Sequence, residues 1–131
     1  MPLTWTDTLA TGIRQIDLQH QELIELINAL EAAHACGQRH AALEEVLPRL
    51  SAYVLFHFAT EEAMMPRTMG EHAERHRRQH QAFTDRVETL RQAPAESIDL
   101  AELIAYLKQW LIDHIMKTDR ELARLIAVNA R

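Results

Sequence analysis

Between Leu43 and Met64 the chain places Leu43, Leu47, Leu50, Val54, His57, Glu61 and Met64 at alternating four- and three-residue steps without a break. That period puts all seven side chains on one stripe of an α-helix, the seam of a helical bundle, and fits no strand. It recurs through Met69, Ala73, His76, His80, Phe83, Val87 and Leu90, and again through Leu100, Leu103, Leu107, Leu111 and His114, with Leu122 and Leu125 beyond. A fourth apolar face comprises Leu23, Ile24, Ile27 and Leu30, and His20 shares it. A chain with four such faces is constrained to bury them against one another.

Turn signals at Gly37, Pro66 to Gly70 and Pro94 to Ser97 separate the segments. They predict helices over about 17–36, 40–65, 70–93 and 97–128, preceded by an arm over about 1–16 in one domain spanning 1–131. Asp17 is the expected N-cap of the first helix and Gly37 its C′ residue, while Ser97 or Asp99 caps the fourth. Pro48 lies off the seam and either kinks the second helix or marks its start. Short connections make neighbours antiparallel, so the expected fold is all-α, an antiparallel up-down-up-down four-helix bundle. Trp5 and Leu9 anchor the arm on it.

Composition narrows the class further. Three Gly and four Pro in 131 residues argue against a turn-rich β architecture. The net charge of −5 offers nothing to nucleic acid or to anionic membranes. No stretch approaches the ~20 apolar residues of a membrane span, and Met1 to Gly12 lacks both a basic leader and an apolar h-region. The lone Cys36, expected as a partly buried thiol, suits a reducing compartment. A cytoplasmic monomer is the expectation.

Eight histidines are the anomaly. His20, His57, His76, His80 and His114, with Glu61, fall on the inner faces, and buried unpaired they would together exceed the ~5–15 kcal/mol net stability of a domain. A metal compensates such a set best. Because chain direction reverses at each connection, the offsets of these residues from their helix ends differ by only about 10 Å at ~1.5 Å per residue, so they share one level. His57 with Glu61, and His76 with His80, are i, i+4 pairs able to chelate. Five imidazoles and a carboxylate exceed one structural zinc and suit two borderline metals, iron over magnesium or calcium. Asp119 could add a second acid, but its i+5 spacing from His114 turns it about 140° around an ideal helix; it is either an exposed acid or a ligand brought round by a π-type widening. His34, His40 and His72 are expected at the surface, Arg75, Arg77 and Arg78 on a solvated face, and Glu62 facing solvent.

These residues, in this order, resemble the hemerythrin family over nearly the whole chain. The resemblance rests on Trp5, Gly12-Ile13, Ile16-Asp17-Leu18-Gln19-His20, His57-Phe58-Ala59-Thr60-Glu61-Glu62, His76-x-x-x-His80 and Trp110-Leu111-Ile112-Asp113-His114 with Asp119. It implies two non-haem irons with an oxo or hydroxo bridge. His76, His80 and His114 would hold one, His20 and His57 the other, with Glu61 and Asp119 bridging. Dioxygen is the implied partner, bound at the position left open on the two-histidine iron in an apolar pocket lined by Leu23 and Leu111. The implied role is reversible O2 storage or delivery to an oxygen-consuming enzyme, not catalysis. The alternatives are O2, redox or NO sensing, or iron storage. Sensors of this type are normally fused to signalling domains, and a chain that ends soon after its fourth helix is expected to be a carrier rather than a sensor. A carboxylate-type di-iron oxidase needs Glu-x-x-His on two helices, and only Glu31 with His34 has that spacing.

Overall fold

The computed structural model describes residues 2–65 and 70–129. Four helices and an N-terminal arm make up the fold, with no strand among the described residues. The arm has one 3-10 turn, Asp7–Leu9. Helix α1 is Arg14–Ala35. Helix α2 runs on through Arg39–Ala41, a π-helical stretch Ala42–Val46 and Leu47–Ala63. Helix α3 is Glu71–Gln92, and α4 joins Leu100–Asp113, a second π-helical stretch His114–Asp119, and Arg120–Asn129. The expected turn at Pro66 to Gly70, and Met69 of the third seam, lie outside the described residues up to Gly70.

Local chemistry explains the boundaries. Asp17 does not cap α1, which begins three residues earlier, after extended Ile13. Its carboxylate instead reaches back to accept the backbone N–H and hydroxyl of Thr11, at 2.8 and 2.7 Å, and the N–H of Gly12 at 3.2 Å. The acid thus ties the arm to the first turn, across a Gly12 whose φ of 91° only glycine adopts freely. At the other end Gln38 N–H bonds Ala33 C=O and Gly37 N–H bonds His34 C=O, a Schellman closure with Gly37 at φ 70°. Asp99 caps α4 by accepting from Glu102 N–H at 3.1 Å.

Pro48 sits two residues past the π-helical stretch of α2, so the helix neither starts there nor breaks. A proline removes one amide donor and crowds the carbonyl four residues back. The wider π turn directly upstream accommodates both.

The core has two parts. A large apolar cluster includes Leu23, Ile27, Leu30, Leu50, Val54, Phe58, Phe83, Leu107 and Leu111. A small one comprises Ile16, Met65, Ala73 and Leu122. On α1 and α3 the buried histidines lie between them, in the order Ile16, His20, Leu23 and Ala73, His76, His80, Phe83, and on α2 Glu61 falls between Phe58 and Met65. The polar layer therefore spans the bundle at one level. The second seam drifts at its end, where Met65 is buried rather than the half-buried Met64. No helix is long and apolar enough to cross a membrane among the described residues.

Leu9 is buried, Trp5 half-buried, and Leu3 exchanges two backbone hydrogen bonds of 2.8 Å with the Asn28 side chain. Replacing Asn28 by Ala removes both, so N28A should lower unfolding free energy by about 1–3 kcal/mol and deprotect the Leu3 amide. Denaturant unfolding and hydrogen exchange check this; an unchanged Leu3 amide would mean that Asn28 does not hold the arm.

Candidate metal centre

All seven polar residues predicted for the site are brought together and buried. His20, Glu61, His76 and Asp119 are 0 % exposed, and His57, His80 and His114 no more than 4 %. Asp119 arrives by the π-helical stretch His114–Asp119. In that geometry the hydrogen bond runs to i+5, so residues five apart share a face. The widening that the spacing required is in place, and Asp119 is not an exposed acid.

The two carboxylates occupy the centre and each turns one oxygen to each side. Glu61 Oε1 lies 3.3, 3.0 and 3.5 Å from Nε2 of His76, His80 and His114, while Oε2 lies 3.3 Å from His57 Nε2 and 3.7 Å from His20 Nε2. Asp119 Oδ1 lies 3.2 and 3.0 Å from Nε2 of His76 and His114, and Oδ2 lies 2.8 Å from His20 Nε2. Two groups result, Glu61 with His76, His80 and His114, and Glu61 with His20, His57 and Asp119, each with ligand atoms within 4.8 Å of one another.

Many of these contacts are close without being hydrogen bonds. His20 Nε2, His57 Nε2, Glu61 Oε2 and both Asp119 oxygens are buried with no hydrogen-bond partner among the described residues. A buried polar atom left so costs about 1–3 kcal/mol, more if charged. Lone pairs that converge without pairing suit cations placed between them, and five imidazoles with two carboxylates match borderline metals such as iron.

The outward edges of the rings are held unequally. His57 Nδ1–H donates to Gln19 Oε1 at 2.7 Å, and Gln19 Nε2 donates to the Thr60 hydroxyl at 3.2 Å. This fixes the ring with Nε2 toward the centre. His80 Nδ1 has Glu62 Oε2 at 3.6 Å, so Glu62 is half-buried beside the site rather than solvent-facing. Phe58 stacks on His80 with ring centroids 3.8 Å apart, and Trp110 on His114 at 4.5 Å. Gln19 and Glu62 are the residues that sequence reasoning missed. The available signal was adjacency, since each precedes or follows a predicted ligand by one position.

Other expectations divide. His34 and His40 are exposed, as are Arg75, Arg77 and Arg78. Cys36 is exposed rather than partly buried. His72 is not a free surface residue: it is half-buried, its Nε2 is enclosed without a partner, and its ring meets His76 edge-on at 5.5 Å. Leu23 and Leu111 line one apolar cavity of ≈ 20 Å³ with Ile27, Val54, Phe58 and Trp110.

Without metal, protons balance the charge. Burial opposes ionisation of Glu61, but contacts with His114, His20, His57 and His76 hold it well below the ordinary carboxylate range. Asp119 is lowered to about 2 because His114 and His20 outweigh its burial and the nearby Glu61. Burial pushes His20 and His114 down, yet Asp119 and Glu61 raise both to about 9. His76 is raised on the same grounds, whereas burial dominates at His80 and lowers it.

Two consequences can be measured. Metal-free protein at pH 7 carries protons on His20 and His114, so metal uptake should release roughly two or more protons per chain, read by an indicator dye in weak buffer. Their folded-state values lie above 6.5, so the stabilisation they contribute is complete below about pH 6.5 and disappears as pH rises through about 9. The melting temperature of chelator-treated protein should fall across that window, while metal-loaded protein stays level. Equal pH dependence in both forms would contradict this charge balance.

Comparison with known proteins agrees with this geometry. Residues 11–126 match the profile of the hemerythrin HHE cation binding domain. The chain is similar to the bacteriohemerythrin of Pseudomonas aeruginosa PAO1, 39 % identical over 118 residues that cover 89 % of this chain and 76 % of that one. It is similar also to the bacteriohemerythrin of Stenotrophomonas maltophilia, 37 % identical over 92 % of this chain and 79 % of the other, and to the myohemerythrin of Theromyzon tessulatum, 31 % identical over 90 % and 88 %. A crystal structure of a mutant protein superposes with a TM-score of 0.87 at 24 % identity, covering 97 % of this chain and 99 % of that one, which supports the bundle fold. The matched span contains both groups of buried histidines and carboxylates, and the chain belongs to the hemerythrin HHE cation-binding family.

Proposed function

We propose that this protein binds dioxygen reversibly at a pair of non-haem irons, storing it or delivering it to an oxygen-consuming enzyme. The observation that carries the reading is the three-to-two division of histidines about two shared carboxylates. His76, His80 and His114 would hold one iron and His20 and His57 the other, with Glu61 and Asp119 bridging and an oxo or hydroxo group completing the bridge. When bound, a ferrous pair supplies reversible two-electron chemistry toward dioxygen.

The protein's own residues give the site its asymmetry. Three imidazoles and two carboxylate oxygens would nearly fill the coordination of one metal, whereas two imidazoles and two carboxylate oxygens would leave the other able to take an external ligand. His57, fixed by Gln19, is oriented toward that side. Leu23 and Leu111 supply the apolar wall of the adjoining cavity, whose other lining residues also carry no acid. Such a wall excludes water and offers no proton that would carry bound oxygen on to irreversible products. This supports a carrier rather than an oxidase. The exposed thiol of Cys36 fits a reducing compartment, and a cytoplasmic monomer is the simplest setting.

Iron-loaded protein, reduced without air, should gain a visible absorption band when O2 is admitted and lose it when the gas is removed, over repeated cycles. Immediate conversion to a ferric form with release of peroxide would overturn the carrier reading. Replacing His57 by Ala should lower iron content from two toward about one per chain, or abolish oxygenation. Unchanged oxygenation in H57A would refute the assignment of the two-histidine side.

A further inference from the structure

One of the five ring edges that face away from the metal centre is held by a hydrogen bond from the protein. Nδ1 of His57 lies 2.7 Å from Gln19 Oε1, whereas Nδ1 of His20, His76, His80 and His114 has no hydrogen-bond partner among the described residues. The held ring belongs to the two-histidine side, the side able to take an external ligand.

This bond has a direction imposed from the backbone. It ends a chain of three: Thr60 Oγ1 to Phe56 C=O at 3.1 Å, Gln19 Nε2 to Thr60 Oγ1 at 3.2 Å, and His57 Nδ1 to Gln19 Oε1. A backbone carbonyl can only accept, so the single hydroxyl proton of Thr60 goes to Phe56. The hydroxyl then meets Gln19 with a lone pair and takes an amide N–H. With its nitrogen committed to Thr60, the buried amide turns its oxygen to His57, and that oxygen also only accepts. The ring therefore carries its proton on Nδ1 and presents the lone pair of Nε2 to the centre, 3.3 Å from Glu61 Oε2.

The acceptor at the end of this chain is a neutral amide. A carboxylate in the same place would pull harder on the Nδ1 proton and make the ring a stronger donor to the metal it holds. Dioxygen draws electron density from a metal as it binds, so a more strongly donating ring retains it longer. We propose that Gln19, directed by Thr60, is the positioning residue that sets how strongly His57 donates to its iron, and that its being an amide rather than an acid keeps dioxygen releasable. The inference rests on the reading of His57 as a ligand of the open-sided iron. Thr60 acts one bond further back, by denying the amide its reversed orientation.

The test has a metal-free and an iron-loaded arm. In metal-free protein with isotope-labelled histidine, one ring Nδ1–H resonance should exchange slowly, be lost in T60V and return in T60S. In iron-loaded protein, with iron content measured first, Q19E should lower the midpoint potential and slow O2 release by about tenfold or more. T60V, which leaves the amide undirected, should shift the potential the opposite way, and T60S should restore it. Damage to packing alone would not move the two variants in opposite directions. An unmoved potential in both variants, shifts of the same sign, or a slow Nδ1–H that survives T60V overturns this inference and leaves the carrier reading standing. Where Q19E takes up no iron, T60V decides by the same criteria, an unmoved or lowered potential overturning the inference. Irreversible oxygenation of the wild-type protein overturns the carrier reading and the claim on release, while the potentials and the Nδ1–H resonance still decide whether Gln19 sets the donor strength of His57.

Discussion

Two carboxylates enclosed at the centre of a helical bundle are the constraint on which the rest of this structure depends. Glu61 and Asp119 are both fully buried, and an isolated buried carboxylate is too costly for a domain of this size to keep. Imidazoles around them supply the compensation, through the protons of His20 and His114 when metal is absent and through a metal when it is present. The apolar core is arranged about this requirement. It is split into a large cluster and a small one, with the polar layer between them spanned by all four helices.

The backbone meets the same requirement by departing from ideal helix at a defined place. A regular α4 would carry Asp119 away from the face that presents His114. The π-helical stretch His114–Asp119 returns it to that face and lets the seam resume at Leu122. The stretch at Ala42–Val46 serves a different need, the accommodation of Pro48, and lies far from the site. One irregularity builds function and the other preserves continuity of a helix. The position of each follows from a single side chain.

The fold was legible because the four- and three-residue steps continue through every segment, histidines included, so a seam could be traced without knowing what the histidines do. The common depth of His20, His57, His76, His80 and His114 followed from chain reversal alone. What spacing could not decide was Asp119, since a π turn has no signature in residue type, and there only the family resemblance pointed inward. Asp17 was misread because an acid before an apolar face suits an N-cap, and nothing local distinguishes a cap from an acid that reaches back to Thr11 and Gly12. The seam's drift from Met64 to Met65 and the half-burial of Glu62 and His72 are tertiary effects. They depend on how closely α3 approaches its neighbours, and period alone does not carry that information. The role of Gln19, despite its place beside His20, went unread for a related reason: its partner, His57, lies 38 residues away.

The shared-carboxylate arrangement, with three histidines on one side and two on the other, is the central claim. Anomalous diffraction at the iron edge from crystals of the iron-loaded protein tests it most directly. Two iron peaks per chain are predicted, one against His76, His80 and His114 and one against His20 and His57, with Glu61 and Asp119 between them. A single peak, or two peaks not shared by those carboxylates, would contradict it.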